Sequence, residues 1–149
     1  MSFVFVDTSA LIKRYIAERG SNWVRSWITP VTGNQTAISE LAVIETLATL
    51  ARLQRGGFLS QSSHRRLHAD FLQHVDQEYV ITLLRSPVLD LANELVQRHP
   101  LRALDAIHLA SALDLARISG TKPLLIAADF RLLAAASIEG FLTDDPNNH

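Results

Sequence analysis

The chain contains no cysteine in its 149 residues. This excludes a disulfide framework and any thiolate-ligated metal centre, and it fits a reducing compartment. Apolar runs of membrane-spanning length are also missing. Asp7 interrupts the N-terminal stretch where a signal peptide needs its apolar segment. A soluble, cytoplasmic protein is therefore expected. No sign of charge dominates: 14 Lys and Arg stand against 15 Asp and Glu, a net charge of −1. Bulk electrostatics thus carry no signature of a nucleic-acid partner. Lysine is nearly absent, however, because 12 of the 14 basic residues are arginine, whose planar fork grips phosphate. Repeats, linkers and low-complexity segments are lacking. Hydrophobic residues at 48% and charged ones at 19% mark a globular chain long enough for one well-filled core.

Several motif-based chemistries are missing as well. The sequence has no phosphate-binding P-loop, no G-x-G-x-x-G and no G-x-S-x-G. His64 and His68 in "HRRLH" have zinc-compatible spacing. No glutamate follows the first histidine, so the metalloprotease pattern fails and a solvated basic face is expected. "DTS" at Asp7 lacks the second aspartate, two residues on, that a phosphoaspartate-type phosphatase needs; Ser9 stands there.

What is present is alternation. "FVFV" reads as a first strand and Asp7 to about Glu18 as a helix, followed by a short helix near 22–28 that stops at Pro30. "QTAI" is a second strand. Two long helices, Ser39 to Arg55 and Ser60 to Asp76, then flank Gly56-Gly57 as a hairpin. "EYVITL" is a third strand, and Ser86-Pro87 reads as an N-cap with proline at the first position of a helix to about Arg98. A helix from Asp105 to Ile118 stops at Gly120. "LLIAA" is a fourth strand, Phe130 to Ala136 a short helix, and "GFLT" a last edge strand. Apolar strands separated by helices predict a three-layer α/β/α sandwich around a mainly parallel sheet, with a protruding helical hairpin. Residues 1–143 form a single domain, and 144–149 ("DDPNNH") a flexible tail.

In such a sheet the C-terminal ends of the strands share an edge, and ligands bind there. Asp7 ends "FVFV" and Asp129 ends "LLIAA". Asp105 opens a helix that leads back into the fourth strand, which puts it at the same edge. At about 100° per residue it falls on the stripe of Leu109, Ala112 and Ala116, an apolar face where an acid must be paired or bind a cation. Asp114 lies half a turn of the wheel away and reads as solvated. His108, one turn after Asp105, reads as a packed or hydrogen-bonded histidine able to support the acids. On "SELAVIETLATLAR" the wheel places Glu40 near the centre of the apolar arc and Glu45 at its margin near Arg52, and periodicity leaves the choice open. Each acid alone could serve as a helix cap or first-turn charge. Three or four on one edge repel one another unless a cation binds, and oxygen ligands point to Mg²⁺ or Mn²⁺.

"FVFVDTSALI", "SELAVIETLATLAR", "LRALDAIHLASAL" and "LLIAADFRLLAAA" resemble, in order, the four motifs of PIN-domain nucleases, and within that family the VapC-type toxins of bacterial toxin–antitoxin pairs. The resemblance runs from Val4 to about Phe141. Through the pattern S-[DE]-L-A-x-x-E it implies that the second acid is Glu45 and not Glu40, beside Asp7, Asp105 and Asp129. The implied activity is a divalent-metal-dependent endoribonuclease. Asp7 and Asp105 ligate the ion, Glu45 and Asp129 bind it directly or through water, Thr8 or Ser9 fixes Asp7, and metal-activated water leaves a 5′-phosphate. Many members carry Thr or Ser where this chain has Ala127, which predicts a looser hold on Asp129. Arg14, Arg65, Arg66 and Arg131 are candidate RNA contacts. The resemblance further implies a homodimer and an antitoxin that covers the acid pocket. The hairpin flanking Gly56-Gly57 is the expected contact region, where Leu11, Ile12 and Leu53 are aliphatic candidates that fit a core position equally well. Two rivals are a catalytically weak PIN-like RNA-binding or scaffold protein and a phosphotransfer domain.

Overall fold

The computed structural model describes residues 2–149. Strand β1 (Ser2–Val6) runs through the middle of the molecule and alternates its side chains between two cores. Val4 and Val6 point to one side with Ile38 and Ile126, while Phe5 points to the other with Ala37 and Leu125. The remaining strands are β2 (Asn34–Ser39), β3 (Val80–Thr82), β4 (Leu124–Ile126) and β5 (Thr143–Asp144). All pairings are parallel, in the order β3-β2-β1-β4-β5, and Phe5 stands in register with both Ala37 and Leu125.

Helices cover both faces, which is why the central strands read as unbroken apolar runs. On the Val4 side lie α1 (Thr8–Leu11), α2 (Ser21–Trp27), α3 (Glu40–Arg55) and α4 (Gln61–Gln77), contributing Leu11, Val24, Ala42 and Phe71. On the Phe5 side lie α5 (Ser86–Arg98), α6 (Ala103–Ser119) and α7 (Phe130–Ile138), contributing Leu95, Leu109 and Leu132. This is the three-layer α/β/α sandwich, and α3 and α4 form the helical hairpin. Ser39 and Ser60 cap α3 and α4, accepting from the N–H groups of Leu41 and Ser63. Gly120 takes the left-handed conformation (φ 75°) that closes α6. Among the described residues no helix is long and apolar enough to cross a membrane.

Four local expectations differ. The first helix is shorter: α1 ends at Leu11 and a 3₁₀ turn follows at Ile12–Arg14. The chain bends there as the Tyr15 hydroxyl reaches His74 Nδ1 (2.7 Å) and the Tyr79 hydroxyl (2.6 Å). Helix α5 takes Ser86 as its first residue, with Arg85 at the cap and no side-chain capping bond. Asp114 is buried at 7% exposure and is held by Arg85 and Arg117, because α6 is covered by α5 as well as by the sheet. The tail expected over 144–149 is packed. Asp144 belongs to β5, a 3₁₀ turn spans Pro146–Asn148 with Pro146 buried, and the His149 ring stacks on Trp23 at 4.0 Å.

Candidate active site

The strand order creates a switch point. From β1 the chain moves outward to β2 and β3, then returns to β4 on the other flank of β1. Open α/β sheets bind ligands at the C-terminal ends of the strands beside such a switch. Asp7 follows β1 there, and its N–H donates to the Ile126 carbonyl of β4 (3.0 Å). Asp129 follows β4, and the Asp129 carboxylate caps α7 by accepting from the N–H groups of Arg131 (2.9 Å) and Leu132 (3.3 Å). Helices α3 and α6 bring Glu45 and Asp105 to the same edge.

Ser9 and Thr8 divide the support of the acids. Ser9 donates from its hydroxyl to Asp7 Oδ2 (2.5 Å), and its N–H donates to the same oxygen (3.1 Å). The Ser9 hydroxyl also accepts from the N–H of Ala128 (2.9 Å), so it joins the two acid-bearing turns. Thr8 donates to Glu45 Oε1 (2.7 Å) and not to Asp7. His108, buried on α6, completes this corner. Its Nε2 lies 2.5 Å from Glu45 Oε1 and 3.5 Å from Asp7 Oδ1, while its Nδ1 is buried without a partner. The ring therefore presents its proton to the carboxylates through Nε2.

Burial alone would push the Glu45 carboxyl up, but the hydrogen bonds from His108 and Thr8 and the charge of the imidazole bring it below its ordinary value. Burial likewise disfavours a charged His108, yet Glu45, Asp7 and Asp105 around it raise its pKa. Asp105 is raised by burial first, and then by repulsion from Asp129 and Asp7. Arg102 offsets part of this: Nε lies 3.5 Å from Asp105 Oδ2 and Nη2 lies 3.6 Å from Asp129 Oδ2. Its side chain is 76% exposed, and among the described residues it is the only guanidinium paired with these acids.

All four sequence-predicted acids thus reach one edge. Glu40 does not: it is exposed and accepts the Leu84 N–H (2.9 Å), tying α3 to the turn after β3. Ala127 is buried in the core at the end of β4, and the hold on Asp129 comes from its own helix. Of the candidate RNA contacts, Arg131 lines the cleft beside Asp129. Arg65 and Arg66 are exposed on α4. Arg14 is committed inward, donating to Glu78 (2.8 Å) and the Tyr79 hydroxyl (2.7 Å), so its fork is not presented to a ligand. Sequence reasoning missed Arg102, although its position three residues before Asp105 is an ion-pair spacing. Among the described residues no three carboxylate or imidazole groups are closed up enough to cage a bare metal ion. The donors are oxygens, and they suit an ion that keeps water and takes phosphate oxygens as its remaining ligands.

An acid cluster at the switch point of an all-parallel α/β/α sheet defines a class of domain, one that gathers carboxylates at the C-terminal edge of its strands. The chain belongs to the PIN-domain family, whose model matches residues 4–137. It is 34% identical over 145 residues to ribonuclease VapC47 of Mycobacterium tuberculosis, covering 96% of each chain. Solved structures share the fold. FitAB bound to an IR36 DNA fragment superposes with a TM-score of 0.67 at 18% identity, covering 96% of this chain and 94% of that one. A toxin–antitoxin complex from Klebsiella pneumoniae superposes at 0.63 with 19% identity, covering 96% and 97%.

Proposed function

We propose that this protein is a divalent-metal-dependent endoribonuclease and the toxin of a toxin–antitoxin pair. The observation that carries the reading is geometric: Asp7, Glu45, Asp105 and Asp129 meet at the C-terminal edge of the sheet beside its switch point, around Arg102 and His108. Carboxylates gathered so closely disfavour one another's ionisation unless a cation binds among them, and burial, Asp129 and Asp7 accordingly raise the Asp105 pKa while Arg102 offsets part of the effect. Similarity to a ribonuclease over nearly the full length supports RNA as the substrate.

Asp7 and Asp105 would hold Mg²⁺ or Mn²⁺, with Glu45 and Asp129 binding directly or through water. The ion supplies a polarised phosphate and a water of lowered pKa. The chain's own groups do the rest. Ser9 fixes one oxygen of Asp7, leaving the other toward the cluster. Thr8 and His108 orient Glu45 so that it can direct a water or accept its proton. Arg102, displaced from Asp105 and Asp129, is placed to meet a phosphate oxygen. Cleavage by water would leave a 5′-phosphate.

The protein should degrade RNA with Mg²⁺ or Mn²⁺, stop in EDTA, resume when metal is restored, and leave ends that a 5′-phosphate-dependent exonuclease accepts. Metal binding by calorimetry without cleavage of any RNA would favour a scaffold instead. The toxin–antitoxin structures that share the fold support an antitoxin partner, and a cytoplasmic homodimer is the assembly we propose. The α3–α4 hairpin, with Leu53 near its turn, and Ile12 are the contact region we assign; Leu11, expected there from the sequence, is fully buried in the core and offers no surface. Light scattering of the purified protein tests the dimer.

A further inference from the structure

Four of the six histidines have a protein partner. His74 meets the Tyr15 hydroxyl, His99 meets Glu139, His108 meets Glu45 and His149 meets Asp144. His64 and His68 differ. Among the described residues neither ring hydrogen-bonds or ion-pairs with any group, and His64 Nε2 is buried without a partner. The two are also neighbours. Four residues apart on α4, they share one face of the helix, with ring centres 5.9 Å apart and planes inclined at 47°. Both are half-buried, whereas Arg65 and Arg66 between them are exposed. The solvated basic face expected of "HRRLH" therefore holds for the arginines alone.

We propose that His64 and His68 form a second metal site, separate from the acid edge, which takes an imidazole-preferring divalent ion such as Zn²⁺ and staples one turn of the α3–α4 hairpin. Two histidines at this spacing on one helix face are an established zinc-binding pair. Tetrahedral zinc, with Zn–N bonds of about 2.0–2.1 Å, holds two ring centres roughly 5 Å apart. The difference from the observed 5.9 Å is closed by side-chain rotation within one rotamer well. A bound ion would satisfy ring nitrogens that now lack partners. Water would fill its other positions, because among the described residues no third carboxylate or imidazole closes a group around the pair. The exposed charges of Arg65 and Arg66 oppose a cation weakly, since water and salt screen them. Neutral imidazole selects Zn²⁺, Ni²⁺ or Cu²⁺, while the oxygen donors of the acid edge select Mg²⁺ or Mn²⁺, so ligand type separates the two sites. An ion that prefers the folded pair to the unfolded chain stabilises α4.

The test is calorimetric titration of Zn²⁺ into the whole protein with Mg²⁺ in large excess, which fills oxygen sites without competing for imidazole. Wild type is compared with His64→Gln, His68→Gln, His68→Cys and Asp105→Asn. Wild type should bind one ion, and zinc should raise its melting temperature until EDTA is added. Losing a group that only orients a ligand already costs about 10–100-fold in metal affinity. Either glutamine variant should therefore weaken zinc binding at least about ten-fold and abolish the melting shift. His68→Cys should still bind, because thiolate is itself a zinc ligand, and it keeps the test decisive if a glutamine merely unsettles the helix. Asp105→Asn should bind zinc as wild type does. No zinc binding by wild type, unchanged binding in His68→Gln, or binding lost in His68→Cys would overturn the site. Zinc binding lost in Asp105→Asn would overturn it too, by placing the ion at the acid edge.

Discussion

Glu45 is held at the acid edge by two short contacts from residues far away in sequence, Thr8 and His108. The pH dependence of stability should expose this pair. His108 is raised in the fold, so its contribution is complete below its ordinary value of 6.5 and fades as pH climbs through the raised one. Glu45 is lowered, so its contribution is present above its ordinary 4.5 and fades as pH falls through the lowered one. Urea unfolding of wild type and His108→Gln should therefore differ most near pH 5–6, by about 2 kcal/mol, and converge in alkali. A gap independent of pH would contradict the pairing. Asp105 has the opposite sense. An acid raised in the fold favours the native state below its ordinary value of 3.8, and that advantage is lost as pH rises through the raised value. Asp105→Asn should therefore melt above wild type at neutral pH without divalent ions, and the gap should close near pH 4.

At the scale of elements, Asp129 does two jobs that substitution can separate. Asparagine caps a helix as well as aspartate, so Asp129→Asn should keep the stability of α7 while losing the charge that the proposed metal centre would use. Asp129→Ala should lose both, with about 1 kcal/mol gone from the unfolding free energy. Equal stability losses in the two variants would show that the charge and not the cap holds α7. The strands, the capping serines of α3 and α4 and the stop at Gly120 were legible because local chemistry decides them. So was the convergence of Asp7, Asp105 and Asp129, which follows from strand polarity alone. The choice of Glu45 over Glu40 was not readable from periodicity, and it came from motif resemblance. The structure adds the physical reason, since Thr8 and His108 approach from α1 and α6. Asp114 misled the helical wheel because a wheel knows one buried face, whereas α6 lies between the sheet and α5. The division of labour between Thr8 and Ser9, and the inward commitment of Arg14, likewise depend on neighbours that no local pattern reveals.

The whole molecule is two apolar cores on either side of one parallel sheet, and the acids sit where that sheet changes direction. Leu109, fully buried on α6, anchors the core directly behind Asp105. Leu109→Ala should cost about 2–5 kcal/mol of stability and reduce activity only in proportion to the unfolded fraction. The C-terminal turn is part of the same body. A Cβ on Gly20, whose φ is 84°, would meet the Pro146 carbonyl oxygen at 2.4 Å. Gly20→Ala should therefore release the Pro146–Asn148 turn and lower the melting temperature without altering cleavage at temperatures where the protein remains folded.

Whether Asp7, Glu45, Asp105 and Asp129 act as one metal-dependent reaction centre is decided by RNA cleavage in wild type and in Asp105→Asn, in Mg²⁺ or Mn²⁺ and then in EDTA. Asparagine preserves the shape of the side chain and removes its charge. The expected result is metal-dependent cleavage by wild type, and loss of cleavage in a variant that stays folded and melts no lower than wild type. Cleavage that survives in Asp105→Asn at the wild-type rate would contradict it.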